Sequence, residues 1–93
     1  MYATVRTYTV SGDFADALVE NESEVRRLIS QIDGFRAYHL IRTAEGTVSV
    51  SVYEDEAGAE ESTRQAAAWI RENLSDLSIA APQVSSGEVL ISF

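Results

Sequence analysis

Four groups of side chains in this sequence are of types that can do chemistry, and each also has a plainer use. His39 is the only histidine. A lone imidazole can act as a general base or bind a haem iron. On an amphipathic strand it is more often a hydrogen-bonded core or edge residue. Arg6 and Tyr8 lie two apart, as do Arg36 and Tyr38, with Arg42 further along the same run. On a strand that spacing puts each set on one face. Arg beside Tyr there could hold a small anion or a phenol, or could pair and stack across a dimer interface. Trp69 and Asn73 are one helical turn apart. With Asn21 they could bring a few polar groups into a mostly apolar pocket between helices and sheet, the usual form of a small-molecule site. The plainer use is an indole plugging the core, with both amides bonded to loops. Ser62 and Thr63 have no His–Asp context, so nucleophilic catalysis has no support. The ligand-pocket candidates are therefore Trp69, Asn73, Asn21, Tyr8 and His39, and no residue is assigned a catalytic role.

Neither a metal nor any other cofactor is expected. There is one histidine, no cysteine and no spaced carboxylate cluster. Gly12, Gly34 and Gly46 read as turn glycines and Gly58 as a helical one, so no glycine-rich phosphate loop is present.

These residues need elements to hold them. Tyr2 to Val10 is rich in β-branched and aromatic residues and reads as a strand. Ser11-Gly12-Asp13 breaks it, and Ser11 or Asp13 can cap a helix. From Asp13 to Ile32 the apolar residues Phe14, Leu18, Val25, Leu28, Ile29 and Ile32 recur on one helical face, with Asn21 in the same stripe. Asp33-Gly34 ends that helix. Phe35 to Thr43 and Thr47 to Tyr53 read as two strands joined by a short Gly46 turn, hence a hairpin. A second helix opens at Glu54-Asp55-Glu56 and runs to Leu74 or Leu77. Its acids come early and Arg64 and Arg71 late, as the helix dipole favours. Its expected inner face is Ala59, Ser62 or Thr63, Ala66, Trp69, Ile70, Asn73 and Leu77. Ser78 to Pro82 connects to a last strand, Val84 to Phe93, in which Gly87 marks a bulge or a close backbone contact.

The order strand–helix–strand–strand–helix–strand is the ferredoxin-like α+β arrangement, one antiparallel sheet with both helices on one face. Residues 1–93 are expected to form one such domain. A chain this short buries only roughly 60–65% of the surface its unfolded form exposes. The bare sheet face, read as a weakly polar set of Thr, Ser, Tyr and Val, would suit a second copy of the chain.

Composition narrows the partners. Fifteen Asp and Glu face seven basic residues, all Arg. That sign disfavours nucleic acid and anionic membrane surfaces. The missing Lys fits a GC-rich genome or a salt-loving host, and speaks to solubility rather than to fold. No apolar run approaches the ~20 residues that span a bilayer, and the first residues do not read as a secretory signal. The cytoplasm is the expected compartment.

Two segments carry a family likeness. Ile32-Asp33-Gly34-Phe35-Arg36-Ala37-Tyr38 is similar to the lead-in to the second strand of antibiotic-biosynthesis monooxygenase-like domains in the dimeric α/β-barrel superfamily. Val48 to Ala57 resembles that family's third strand and acid-rich helix start, with Tyr53 where the family often has Trp. The resemblance implies a homodimer with its two sheets facing each other as a barrel. It also implies one of several activities: cofactor-free oxygenation of phenolic polyketides, haem degradation, or none assigned. Haem-degrading members use an Asn on the first strand and a Trp and His on or near the second helix. This chain has Trp69 but neither the Asn nor the His, which argues against haem degradation. Two functions stay open. One is a homodimer that binds a small, aromatic molecule without assigned catalysis. The other is a cofactor-free monooxygenase acting on an aromatic or phenolic substrate.

Overall fold

The computed structural model describes residues 1–9, 12–77 and 79–93. Its elements are β1 (Tyr2–Tyr8), α1 (Gly12–Glu20), α2 (Glu22–Ser30), β2 (Phe35–Arg42), β3 (Thr47–Tyr53), α3 (Glu56–Asn73), a 3₁₀ turn (Ser75–Leu77) and β4 (Gln83–Glu88). The four strands form one antiparallel sheet in the order β2-β3-β1-β4. The helices cover one face of it, which is the ferredoxin-like arrangement. The expected strand end at Val10, the cap at Ser11 and the connector start at Ser78 lie outside the described residues.

The first helix is two helices rather than one. Asn21 breaks it at φ −106° and ψ 27°. Its side-chain amide donates to the Ala17 carbonyl at 2.8 Å, a local bond that competes with the helix ladder. The polar residue in an apolar stripe thus marks the joint. At the end of α2, Gly34 takes φ +83°, which a side chain would strain. Its carbonyl accepts the Glu54 N–H at 2.8 Å and so ties β2 to β3.

Helix α3 is capped by the Asp55 carboxylate, which accepts the Gly58 N–H. Gly58 lets the helix approach closely. A Cβ there would come within 3.0 Å of the Asp33 carbonyl and of the Tyr53 ring. Gly58, Ala59, Ser62 and Trp69 are buried. The inner face departs from expectation at its end. Leu74 is buried in place of Leu77, and Asn73 is exposed, because the helix stops at Asn73 and the 3₁₀ turn changes the phase.

Strand β4 ends at Glu88, not Phe93. Its partner β1 starts at Tyr2, and the last bond between them runs from Val89 N–H to the Met1 carbonyl. Leu90, Ile91 and Phe93 beyond it are exposed. Gly87 makes no bulge and pairs regularly with Ala3. The irregularity is in β2, between Phe35 and Ala37.

The larger correction concerns which sheet face is which. Thr4, Arg6 and Tyr8 of β1 and Thr47, Ser49, Ser51 and Tyr53 of β3 are buried under the helices. The opposite, bare face therefore shows Val48, Val50 and Val52, with Ala3 and Val5 beside them and Ala37, His39 and Ile41 on β2. It is apolar along β3, and its polar members are Thr7, His39, Gln83 and Ser85 rather than the serines of β3. The hydroxyl side chains go inward because Arg6 is inside.

Candidate functional site

Arg6 is 2% exposed. Its guanidinium is bound by hydroxyl groups alone. Nε donates to Ser49 at 3.2 Å, one terminal nitrogen to Ser62 at 3.2 Å and Thr63 at 3.1 Å, and the other to Ser51 at 2.8 Å. The folding logic is local. Period two puts Ser49 and Ser51 on the face of β3 that Arg6 takes on β1. The first turns of α3, held close by Gly58, lower Ser62 and Thr63 onto the same group. Ser62 in turn donates to the Ala59 carbonyl at 2.7 Å, which leaves its lone pairs for Arg6. No carboxylate lies within ion-pair distance among the described residues. Taking a guanidinium out of water costs several kcal/mol, and dipoles alone offset only part of that. A buried cation of this kind is a functional-site candidate on physical grounds.

Space opens on both sides of Arg6. On one side is a small cavity of about 30 Å³, walled by Arg6, Tyr8, Tyr38, Ser49, Trp69 and Ile70 and by apolar residues of α1 and α2. It has room for one water or one diatomic molecule. On the other side is a cleft of about 520 Å³, between α3 and the segment 79–84. Arg6, Tyr8, Thr63, Ile70, Arg71 and Leu74 form much of its lining, with Ile79 to Pro82 closing the far side. Arg6, Tyr8 and Ile70 belong to both spaces and so form the partition between them.

The tyrosines around Arg6 resist ionisation. Burial raises the Tyr8 and Tyr38 phenols above the ordinary value of 10.0, while the Arg6 charge pulls each back in part. Tyr53, wholly buried with its hydroxyl donating to the Ile29 carbonyl at 2.8 Å, is raised for the same first reason. A phenol whose folded value lies above its unfolded one stabilises the fold fully below pH 10. That contribution is lost as pH rises through the folded values. The expected result is alkaline unfolding that starts above pH 10, with the tyrosinate absorbance of these three residues appearing together with loss of the circular dichroism signal. Three tyrosinates forming while the dichroism stays native would contradict it.

The structure brings Tyr8 and Trp69 onto one cavity and places the other three candidates elsewhere. Trp69 is 8% exposed, and its indole N–H donates to the Glu24 carboxylate at 2.8 Å, linking α3 to α2. The Asn73 side chain is exposed and donates back to the Trp69 carbonyl at 3.0 Å. Asn21 is occupied at the α1–α2 joint. His39 stands opposite Val50 on the bare face, across the sheet from Arg6. Of the other arginines noted on strands, Arg36 pairs with Glu54 and Arg42 with Asp16, both at the surface. The five pocket candidates do not include Arg6, Tyr38, Thr63 or Arg71, although the sequence sets Arg6 beside Tyr8 and Arg36 beside Tyr38, pairs able to hold a small anion or a phenol. The signal for Arg6 was present as serines two apart on one strand and a Ser-Thr pair on the next helix, enough hydroxyls to bind one guanidinium.

With this geometry in view, the chain can be set beside known proteins. The family model described as antibiotic biosynthesis monooxygenase matches residues 1–69, from β1 through Trp69. No curated protein matches. Among solved structures, a monooxygenase from the gene ActVA-Orf6 of Streptomyces coelicolor, in complex with the ligand nanaomycin D, is 23% identical. That match covers 98% of this chain and 92% of the other, with a TM-score of 0.67. The heme-degrader MhuD of Mycobacterium tuberculosis, with two hemes bound in its active site, is 13% identical, with coverage of 100% and 99% and a TM-score of 0.74. A putative antibiotic biosynthesis monooxygenase of Nitrosomonas europaea is 18% identical, with coverage of 98% and 100% and a TM-score of 0.72. At these identities the likeness shows a shared fold.

Proposed function

This chain belongs to the antibiotic biosynthesis monooxygenase family, and on that premise we propose that it is a homodimer that binds a planar aromatic small molecule in the cleft between α3 and residues 79–84. The observation that carries this reading is the cleft itself. Its volume, about 520 Å³, is within the usual range for a small-molecule site. Its walls are largely apolar, and its polar lining residues are Arg6, Tyr8, Thr63, Arg71 and Ser75. The uncharged bare sheet face supports the homodimer, since a second copy would cover it.

A second reading, oxygenation of the bound molecule without a cofactor, is favoured by the small cavity that shares Arg6 and Tyr8 with the cleft. A reaction of this kind needs dioxygen next to an electron-rich, deprotonated substrate. A fixed cation at the substrate oxygen favours the deprotonated form. The balance for an anthrone is direct. The ring methylene is oxidised to a carbonyl, and one atom of dioxygen enters the product while the other leaves as water with the two methylene hydrogens. A 30 Å³ chamber beside Arg6 is of a size to hold dioxygen at that point.

Both readings meet one experiment. A dihydroxyanthraquinone at a hundred times its dissociation constant should stabilise the protein by about 2.7 kcal/mol, which raises the melting temperature by roughly 10 °C or more for a domain of this size. Dihydroxyanthrone added at an oxygen electrode should then show uptake above the buffer rate. No rise in melting temperature across a panel of planar aromatics sinks the binding reading. A rise without oxygen uptake leaves a binding protein and sinks the oxygenase reading.

A further inference from the structure

We propose that the cleft selects its ligand by charge: it takes an aromatic molecule in its anionic form, with an ionised oxygen held against Arg6 and Arg71. The inference rests on the binding reading above and adds the chemical class of the ligand. Two independent observations carry it. The first is the state of Arg6. A guanidinium has five N–H donors, and four bonds to hydroxyls use four of them. One donor remains unused and no carboxylate balances the charge, at a group that is 2% exposed and lines the cleft.

The second observation is the distribution of carboxylates. The chain has a net charge of −8, with fifteen acidic residues. Four arginines, Arg26, Arg36, Arg42 and Arg64, pair with carboxylates. Arg6, Arg27 and Arg71 do not, among the described residues, and two of these three, Arg6 and Arg71, line the same cleft. No Asp or Glu is among that lining, whereas the neighbouring depression at the start of α3 is lined by Asp33, Glu54, Asp55 and Glu61. An acidic protein that keeps its carboxylates out of one apolar cleft, and puts two unpaired guanidiniums in it, has built a place for a negative charge. Arg6 sits at the inner wall, where screening by salt is weak, and Arg71 is exposed. An anion entering would meet Arg71 first and exchange its water for Arg6 and the surrounding apolar wall. Charge-assisted bonds of this kind are worth enough to favour the anion about tenfold to a hundredfold over a neutral analogue of the same shape.

The test uses a matched pair, a naphthalene carboxylate and the corresponding neutral amide, titrated into the wild-type protein by calorimetry. A hydroxynaphthoquinone ionised at neutral pH is the third arm and separates a carboxylate from an acidic ring hydroxyl as the preferred group. The carboxylate or the ionised quinone should bind at least tenfold more tightly than the amide. Arg6→Met should abolish the preference, bringing the anion and amide affinities together. Should that variant not fold, Arg71→Glu, a change at an exposed position, should cut the ratio of anion to amide affinity at least severalfold. Equal affinities for anion and amide in the wild type would overturn the inference and leave the binding reading intact. A preference that survives Arg6→Met, or is undiminished in Arg71→Glu if the first does not fold, would also overturn it. If no aromatic binds at all, the binding reading falls and this inference falls with it.

Discussion

Replacing Trp69 by alanine is expected to lower stability by about 3–5 kcal/mol. The reason is position rather than size alone. Trp69 is the one aromatic side chain on a helix face that also carries Gly58, Ala59, Ser62, Ala66 and Ile70, and it packs in the cluster with Tyr8, Phe14, Leu18, Val25 and Ile29. A cavity of about 30 Å³ already adjoins the indole. Truncation would enlarge that space, and α3 cannot settle into it, because Gly58 already holds the helix against Tyr53 and the Asp33 carbonyl. The hydrogen bond to Glu24 adds little, since that carboxylate is exposed and water replaces the indole. Trp69→Phe should therefore cost much less than Trp69→Ala. Denaturant unfolding at one fixed protein concentration measures both. A loss below about 1.5 kcal/mol for the alanine variant would show that the indole forms the wall of a ligand space instead of filling the core.

How much of this was legible in the sequence can be judged residue by residue. The element order was, because alternation in Thr47 to Tyr53 and helical spacing after Asp55 are strong local signals. Asn21 was visible as a polar residue in an apolar stripe, but spacing alone cannot distinguish a pocket residue from a helix joint. Its bond to Ala17 decides that, and the bond is a matter of geometry. The fate of Leu77 was not legible either, since a 3₁₀ turn shifts the phase of everything after it. The hardest question was which face of the sheet turns inward. A period of two defines two faces and says nothing about which is covered. The ordinary assumption sends valine in and serine out. Here Arg6 reverses it, because a buried guanidinium needs hydroxyl partners more than the helices need valine. One alternation thus does two things: it supplies the hydroxyl cage of Arg6 on one side of β3 and leaves an apolar surface on the other.

That reversal bears directly on assembly, and Val5→Glu should convert the protein from dimer to monomer. The bare face carries Ala3, Val5 and Thr7 on β1, Ala37, His39 and Ile41 on β2, Val48, Val50 and Val52 on β3, and Gln83, Ser85 and Gly87 on β4. None is Asp, Glu or Arg, in a chain in which 24% of residues are charged. The chain exposes 5945 Å², against about 5300 Å² for a monomeric protein of its mass. The excess has two visible sources, this face and the apolar residues after Glu88. A two-fold axis lying parallel to the face, midway between two copies, would lay one sheet on the other, about 10 Å apart. Val5 is central, and its cross-strand neighbours, Val50 and Ser85, offer no cation to a new carboxylate. Each uncompensated buried charge costs about 3–5 kcal/mol, and a two-fold interface contains the substitution twice. Dimer affinity should fall by at least about 10⁴-fold. The fold should persist, since the Val5 side chain points away from the helices. Light scattering at micromolar concentration should give twice 10.2 kDa for the wild type and 10.2 kDa for the variant. The two should have the same circular dichroism spectrum. Lowering the pH should restore the variant dimer, because a buried carboxyl is protonated well above its usual range. A wild-type protein that scatters as a monomer, or a variant that stays a dimer at neutral pH, would mean that this face is not where two copies meet.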